Sequence, residues 1–289
     1  MVSFSFEAIG TSWVIDIDDI NLKKQKILEQ EILRRIEEFD KTYSRFREDS
    51  LIFRISKSPG NYVFPKEDKV LFELYKKLYN LSGGLFTPLV GNLLEDAGYD
   101  ANYSLTPKKL RKVLMWEEVM KYSHPNLNIK KPITLDFGAA GKGYLIDIVG
   151  GILEKAGIKS FCIDGGGDIL YKNASKKSIK IGLEHPKDIN QVIGVVELLN
   201  ESICGSSTNR RSWGRFHHIL NPRTRTPEAN ILSVWVIAKT ALLADGLTTT
   251  LFFVDPEKLK KEFNFEYLIL YPDFTIKKSA NFSAELYYN

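Results

Sequence analysis

The run Leu135-Asp-Phe-Gly-Ala-Ala-Gly-Lys-Gly143 constrains this chain more than any other segment. Before it, Ile133-Thr-Leu-Asp136 reads as a strand. After it, Leu145, Ile148, Val149, Ile152 and Leu153 recur at helical spacing until Gly157. A strand that turns through glycines into a helix gathers free backbone amides and the positive end of a helix dipole at one spot, where anions bind. Lys142 adds a full charge there. The run is not a Walker A loop, because no glycine stands five residues ahead of Gly141 and Gly143 replaces the Ser/Thr after the lysine. It is not the GxGxxG dinucleotide fingerprint either. The same residues also suit a tight turn with an exposed lysine, and the run alone leaves both open.

Three other segments could carry chemistry. Asp245 and Thr249 stand four apart in a pattern otherwise filled by Leu242, Leu243, Leu247, Leu251 and Phe252. That spacing puts both oxygens on one helix face. A carboxylate on an apolar helix needs a partner or a metal, and a hard cation such as magnesium accepts carboxylate, hydroxyl and carbonyl oxygens together with phosphate. An unseen Lys or Arg, or a solvated edge, would serve Asp245 as well. Cys162-Ile-Asp-Gly-Gly-Gly-Asp168 allows close backbone approach to a flat ligand, or simply a hairpin turn. In Arg215-Phe-His-His-Ile-Leu-Asn-Pro-Arg-Thr224, adjacent His217 and His218 face opposite ways in an extended segment, so they cannot clamp a metal together. One of them could act as a general base, or as a structural hydrogen-bonder.

The rest of the chain sets the class. Residues 2–18 alternate around Gly10-Thr11 as two strands or a hairpin, and Leu28, Ile32, Ile36, Phe39 and Tyr43 mark an amphipathic helix from Asn21 to Tyr43. A second helix is expected over Asp68–Leu81, ended by Ser82-Gly-Gly84, and Thr106-Pro107 fits a helix start. Strands are expected at Ser160–Asp164, Ser178–Leu183, Val192–Leu198, Ile231–Ala238 and Glu266–Tyr271, with a helix from Thr240 to Val254. Antiparallel-looking strand runs among scattered helices imply an α+β fold of mixed or antiparallel sheets with flanking helices. No linker or internal repeat divides the 289 residues, so one domain of two lobes is expected.

A net charge of +4, from 40 basic and 36 acidic residues, leans toward anionic ligands and falls short of a nucleic-acid signature. Cys162 and Cys204 are too far apart for a CxxC site. The start shows no basic region followed by a long apolar run, and no apolar stretch of about 18 residues could span a bilayer. A cytoplasmic location is expected.

Taken in order, the segments resemble the FAD:protein FMN transferase (ApbE) family. The match runs through Ile9-Gly-Thr11, Tyr43-Ser-Arg-Phe46, Asp49-Ser50, Ser82-Gly-Gly-Leu-Phe-Thr-Pro88 and Leu135–Asp147. It continues with Gly166-Gly-Asp168, His218-Ile-Leu-Asn-Pro-Arg-Thr224 and Ala244-Asp-Gly-Leu-Thr-Thr249. Each motif is unspecific, but the whole series in order covers most of the chain. The resemblance implies binding of FAD and magnesium, and transfer of FMN to a Thr or Ser hydroxyl of an acceptor flavoprotein with release of AMP. It further implies Asp245 and Thr249 as side-chain metal ligands and Ala139 as a carbonyl ligand. By matching position, Asp136 and Lys142 contact the flavin nucleotide, while Ile9, Phe46, Leu85, Phe86, Thr87 and Ile219 line its site. His218 matches the histidine near the transferring phosphate.

The residue-level chemistry agrees, since breaking a pyrophosphate needs charge neutralisation, and a hydroxyl nucleophile needs a base such as His218 or the metal. Phe46 and Trp13 could offer a flat surface to a ring, or be core. This chain departs from the family at Gly141, where Ala is common, and at Thr87, where an acidic residue is common. Arg225 stands where glycine usually follows Pro-Arg-Thr, Cys204–Arg211 fits loosely, and the export or lipoprotein signal expected of most members is missing. These departures keep an FAD pyrophosphatase (FAD to FMN and AMP) and a non-catalytic FAD binder in view. A remote alternative is an anion- or nucleic-acid-binding module built on Arg210, Arg211, Arg215, Arg223 and Arg225.

Overall fold

The computed structural model describes residues 2–18 and 20–287. The chain opens with a hairpin, β1 (Val2–Ala8) and β2 (Thr11–Ile17), then α1 (Leu22–Tyr43), α2 (Leu51–Lys57), β3 (Gly60–Val63) and α3 (Lys69–Leu81). Two short helices follow, α4 (Gly91–Asp96) and α5 (Trp116–Val119), with two short strands, β4 (Met120–Ser123) and β5 (Asn126–Ile129). Next come α6 (Gly141–Lys155), β6 (Phe161–Gly165), β7 (Ile169–Lys172), β8 (Ile179–His185), β9 (Asp188–Leu198) and β10 (Ser202–Ser207). The last part holds β11 (Ser212–Trp213), β12 (Phe216–His217), β13 (Ser233–Ala238) and α7 (Ala241–Thr250). It closes with α8 (Pro256–Lys260), β14 (Phe265–Leu270), β15 (Ile276–Lys278) and β16 (Ala284–Leu286).

An eight-stranded sheet, ordered β1-β2-β6-β7-β10-β13-β14-β15, organises the molecule, and its neighbours all run antiparallel. Its side chains alternate between two apolar clusters, as strand geometry requires. In β13, Val234, Val236 and Ala238 join the larger cluster with α6 and α7. Trp235 and Ile237 point the other way, toward Leu183, Val196 and Leu198 of the small sheet β16-β9-β8. That explains why this strand is buried at every position.

Most expected elements form. Asn21 caps α1 by accepting from Lys24 N, and Thr240 caps α7 by accepting from Leu243 N. Two expectations fail. Ile133–Asp136 forms no strand; Thr134 N donates to Asn92 Oδ1 and Asp136 N to Pro88 O, so α4 and its lead-in take the place of a neighbouring strand. Thr106-Pro107 starts no helix. Lys108 N donates to Asp96 O, Arg111 N to Asp96 Oδ2, and the Arg111 guanidinium grips the same carboxylate, so those amides are spent on a tertiary partner. No described helix is long and apolar enough to cross a membrane.

α6 and α7 meet at Gly143. A Cβ built there would lie 2.1 Å from the Ala241 carbonyl oxygen and 2.7 Å from Asp245 Cβ. The carboxylate of Asp147, one turn further along α6, accepts from Ala241 N at 2.9 Å and Leu242 N at 2.8 Å, capping α7 from outside its own chain segment. We predict that Gly143→Ala forces the helices apart and costs at least ~2 kcal/mol. Urea denaturation compared with wild type checks this, and an unchanged midpoint would contradict the close contact.

Candidate active site

A cavity of about 1030 Å³ opens between the helices, the main sheet and the loops that follow β10. The site residues that the family resemblance implies all line it: Ile9, Phe46, Leu85, Phe86, Thr87, Asp136, Ala139, Lys142, His218, Ile219, Asp245 and Thr249. Phe86 is almost wholly packed, with Tyr75 at 4.9 Å between ring centroids, so it serves mainly as wall. Trp13 is not part of the site; it is fully buried, stacks on Phe6 and donates Nε1–H to Ala8 O. Ile9 holds φ at +45° in the β1–β2 turn, an unfavourable conformation for a β-branched residue.

The floor is electrostatic. Asp245 is buried and accepts from Gly143 N through Oδ2 at 2.8 Å. Burial, and then the charge of Asp168, push its carboxyl well above the ordinary carboxylate range, while Lys142 pulls the other way. Lys142 Nζ lies 3.1 Å from Asp168 Oδ2, and Asp168 Oδ1 accepts from Gly205 N. Burial works against the Lys142 charge, but Asp168 and Asp245 more than offset it and hold the ammonium above its usual range. Two buried carboxylates thus share one ammonium.

That imbalance suits a hard divalent cation beside Asp245. Among the described residues no three His, Cys, Asp or Glu side chains cluster as a metal group. A cation there would draw on the Asp245 carboxylate, the Thr249 hydroxyl and the Ala139 carbonyl, all on the cavity wall, and would fill its shell with ligand oxygens and water.

Three of the amides expected to be free at the glycine run are used internally. Gly138 N donates to Asp136 Oδ1, Gly141 N to Phe137 O and Gly143 N to Asp245. Folding spends these three donors on shaping the turn, and Lys142 brings a full positive charge to this part of the cavity wall. The glycine-rich Asp164–Asp168 segment is the turn of the β6–β7 hairpin, with Gly166 and Gly167 at positive φ, and it also lines the cavity.

The two histidines divide as their alternation predicts. His217 Nε2 meets Glu228 O at 2.8 Å, a structural contact. His218 lines the cavity, and its Nδ1 is buried without a hydrogen-bond partner among the described residues. Burial, reinforced by the nearby Arg211 charge, pushes its pKa down to about 3.

Sequence reasoning missed Arg45, which sits inside the Tyr43–Phe46 motif. This buried guanidinium donates Nε–H to Asp136 Oδ2 at 2.6 Å and Nη1–H to Tyr99 O, and lies over the Phe46 ring at 4.1 Å. Of the five arginines considered for nucleic acid, Arg210 and Arg211 line the cavity, with Arg210 paired to Glu184, whereas Arg223 donates to Gly83 O, Arg225 donates to Leu110 O and Arg215 lies over Phe216.

The departures from the family pattern also have local accounts. Arg225 has φ of +60°, the left-handed region that favours the usual glycine. At Gly141 a Cβ would meet only ordinary contacts, 3.8 Å from Phe137 and Phe39, so alanine fits there too. Thr87 Oγ1 accepts from Leu89 N, a capping role open to an acidic side chain as well.

An antiparallel α+β sandwich whose cavity joins a buried carboxylate, a lysine and an uncharged histidine defines a class of anion-handling sites. The ApbE family model matches residues 9–268, and the chain belongs to that family. The FAD:protein FMN transferase of Buchnera aphidicola subsp. Schizaphis graminum (strain Sg) is 27% identical over 279 residues, covering 88% of this chain and 80% of the relative. The enzyme of the same name from Escherichia coli (strain K12) is 25% identical over 286 residues, covering 92% and 82%. The ApbE protein of Thermotoga maritima superposes with a TM-score of 0.80 at 24% identity, over 97% of each chain. The flavin transferase ApbE from Vibrio cholerae does so with a TM-score of 0.77 at 22% identity, over 97% of each chain.

The depressed His218 value gives a direct expectation. The folded imidazole stays uncharged until the pH falls to about 3, so it takes up no proton across the neutral range. In ligand-free protein its NMR signals, assigned through His218→Gln, should stay constant from about pH 5 to 8, across the ordinary histidine value of ~6.5. A midpoint within that window would contradict the buried placement.

Proposed function

We propose that this protein transfers the FMN half of FAD to a Thr or Ser hydroxyl of a target flavoprotein, releasing AMP. The observation that carries the proposal is the meeting of Asp245, Thr249, Ala139, Lys142 and His218 on one cavity large enough for a dinucleotide. The family relatives named for this reaction support the same reading.

The residues then have distinct tasks. Lys142 offers positive charge to the pyrophosphate, and Asp168 holds the ammonium in place. Asp245, Thr249 and Ala139 would hold magnesium, which when bound supplies charge neutralisation to the phosphate oxygens. Gly143 N fixes one oxygen of Asp245, leaving the other to face a ligand. His218, uncharged and on the cavity wall, takes the proton of the acceptor hydroxyl as its oxygen bonds to the FMN phosphorus. The bond from that phosphorus to the bridging oxygen breaks, and AMP leaves with the oxygen. Approach of phosphate charge would raise the basicity of His218 when it is needed.

Asp245→Ala is expected to lower magnesium-dependent turnover of FAD at least 100-fold, measured as AMP release. Unchanged turnover would mean the ligand set is wrong. Lys142→Ala should weaken FAD binding about tenfold by calorimetry, a loss typical of one charge-assisted contact, with folding verified by circular dichroism. Incubation with FAD, magnesium and a flavoprotein acceptor should leave covalent flavin on protein. FMN and AMP without protein-bound flavin would instead identify a pyrophosphatase.

A further inference from the structure

Resting on that reading, we infer that Tyr103 is the second jaw of an aromatic clamp with Phe46, closing on a planar ring of the bound dinucleotide. Tyr103 lies in the loop between α4 and α5. Its ring is parallel to that of Phe46, with centroids 5.5 Å apart and planes 11° from parallel, and both residues line the cavity. Tyr99 stands edge-on to both rings, at 5.5 Å from each and at 67° and 76°, forming a back wall.

The loop is built to hold this ring out. Tyr103 has φ of +48° and Leu105 +52°, a conformation unfavourable for side chains of their size. Asp100 maintains it by accepting from Asn102 N and Ser104 N through Oδ1 and from Ser104 Oγ through Oδ2, while Tyr103 N donates to Asp100 O. Leu105 N returns to Gly98 O. All this organisation leaves Tyr103 52% exposed, so it does little for the core. A half-exposed aromatic ring held parallel to another at a cavity wall is a stacking surface.

A ring sandwiched between two others needs their planes roughly 7 Å apart, twice the ~3.5 Å of optimal carbon contact. An outward shift of the loop admits it, and the exposed side of Tyr103 leaves that path clear. The ring could be the adenine or the isoalloxazine, since both offer the same flat π surface, and the two halves of FAD can be tested apart.

The experiment is calorimetric titration of wild type, Tyr103→Ala and Tyr103→Phe with FAD, ADP and FMN. Tyr103→Ala should weaken FAD and one of the two halves about tenfold, the scale of one stacked base, and leave the other half unchanged. Tyr103→Phe should stay within twofold of wild type. Equal affinity of wild type and Tyr103→Ala for all three ligands overturns the clamp. Tyr103→Phe losing as much as Tyr103→Ala also overturns it, in favour of a hydroxyl contact. If wild type binds none of the three, the flavin reading itself fails and the clamp with it, an outcome visible before any variant is compared.

Discussion

The site depends on the contact between the start of α6 and the side of α7. Gly143 is the hinge of that contact: it has no side chain, so the helices approach until its amide reaches Asp245. Asp147 then caps α7 with two amide hydrogen bonds. Hydrogen bonds to a charged acceptor contribute about 1.5–3 kcal/mol each, so these contacts lock the two helices in one register. Lys142 and Asp245, one from each helix, share the cavity as a consequence.

Charge in the cavity is organised in two groups, each anchored by an ion pair with one buried partner. Lys142–Asp168 lies toward the main sheet and Arg45–Asp136 toward the aromatic wall. Breaking either pair by removing one partner would strand a buried charge. Asp245 stands beside the first pair with only a neutral amide donor, and this leaves it as the group that a cation would complete. His218 is the complementary case, a base kept neutral by burial and by Arg211.

Much of this was legible along the chain. The helical spacing of Leu28 to Tyr43 and the four-residue step from Asp245 to Thr249 survive folding because periodicity reports which face is covered. The alternation that set His217 apart from His218 also held. Residues 133–136 and the helix start expected at Thr106-Pro107 misled for a shared reason: the backbone partners there, Asn92, Pro88 and Asp96, lie elsewhere in the chain. In the glycine run, Gly138 and Gly141 turn back onto Asp136 and Phe137 within the run itself, whereas the acceptor of Gly143, Asp245, becomes known only in three dimensions. Arg45 and Tyr103 carried no periodic signal, because a side chain in a loop gains a role only from what the loop faces.

The sequence by itself determined the α+β class, the main helices, and, through the family resemblance, a set of site residues that line one cavity. Those follow from local periodicity, from the special backbone freedom of glycine, and from the order of motifs shared with a family. Only the tertiary structure decided that two carboxylates share one lysine, that His218 is uncharged, and that the Gly143 amide is already taken by Asp245. Charge state and hydrogen-bond satisfaction depend on burial and on partners distant in sequence, and neither exists until the chain has packed.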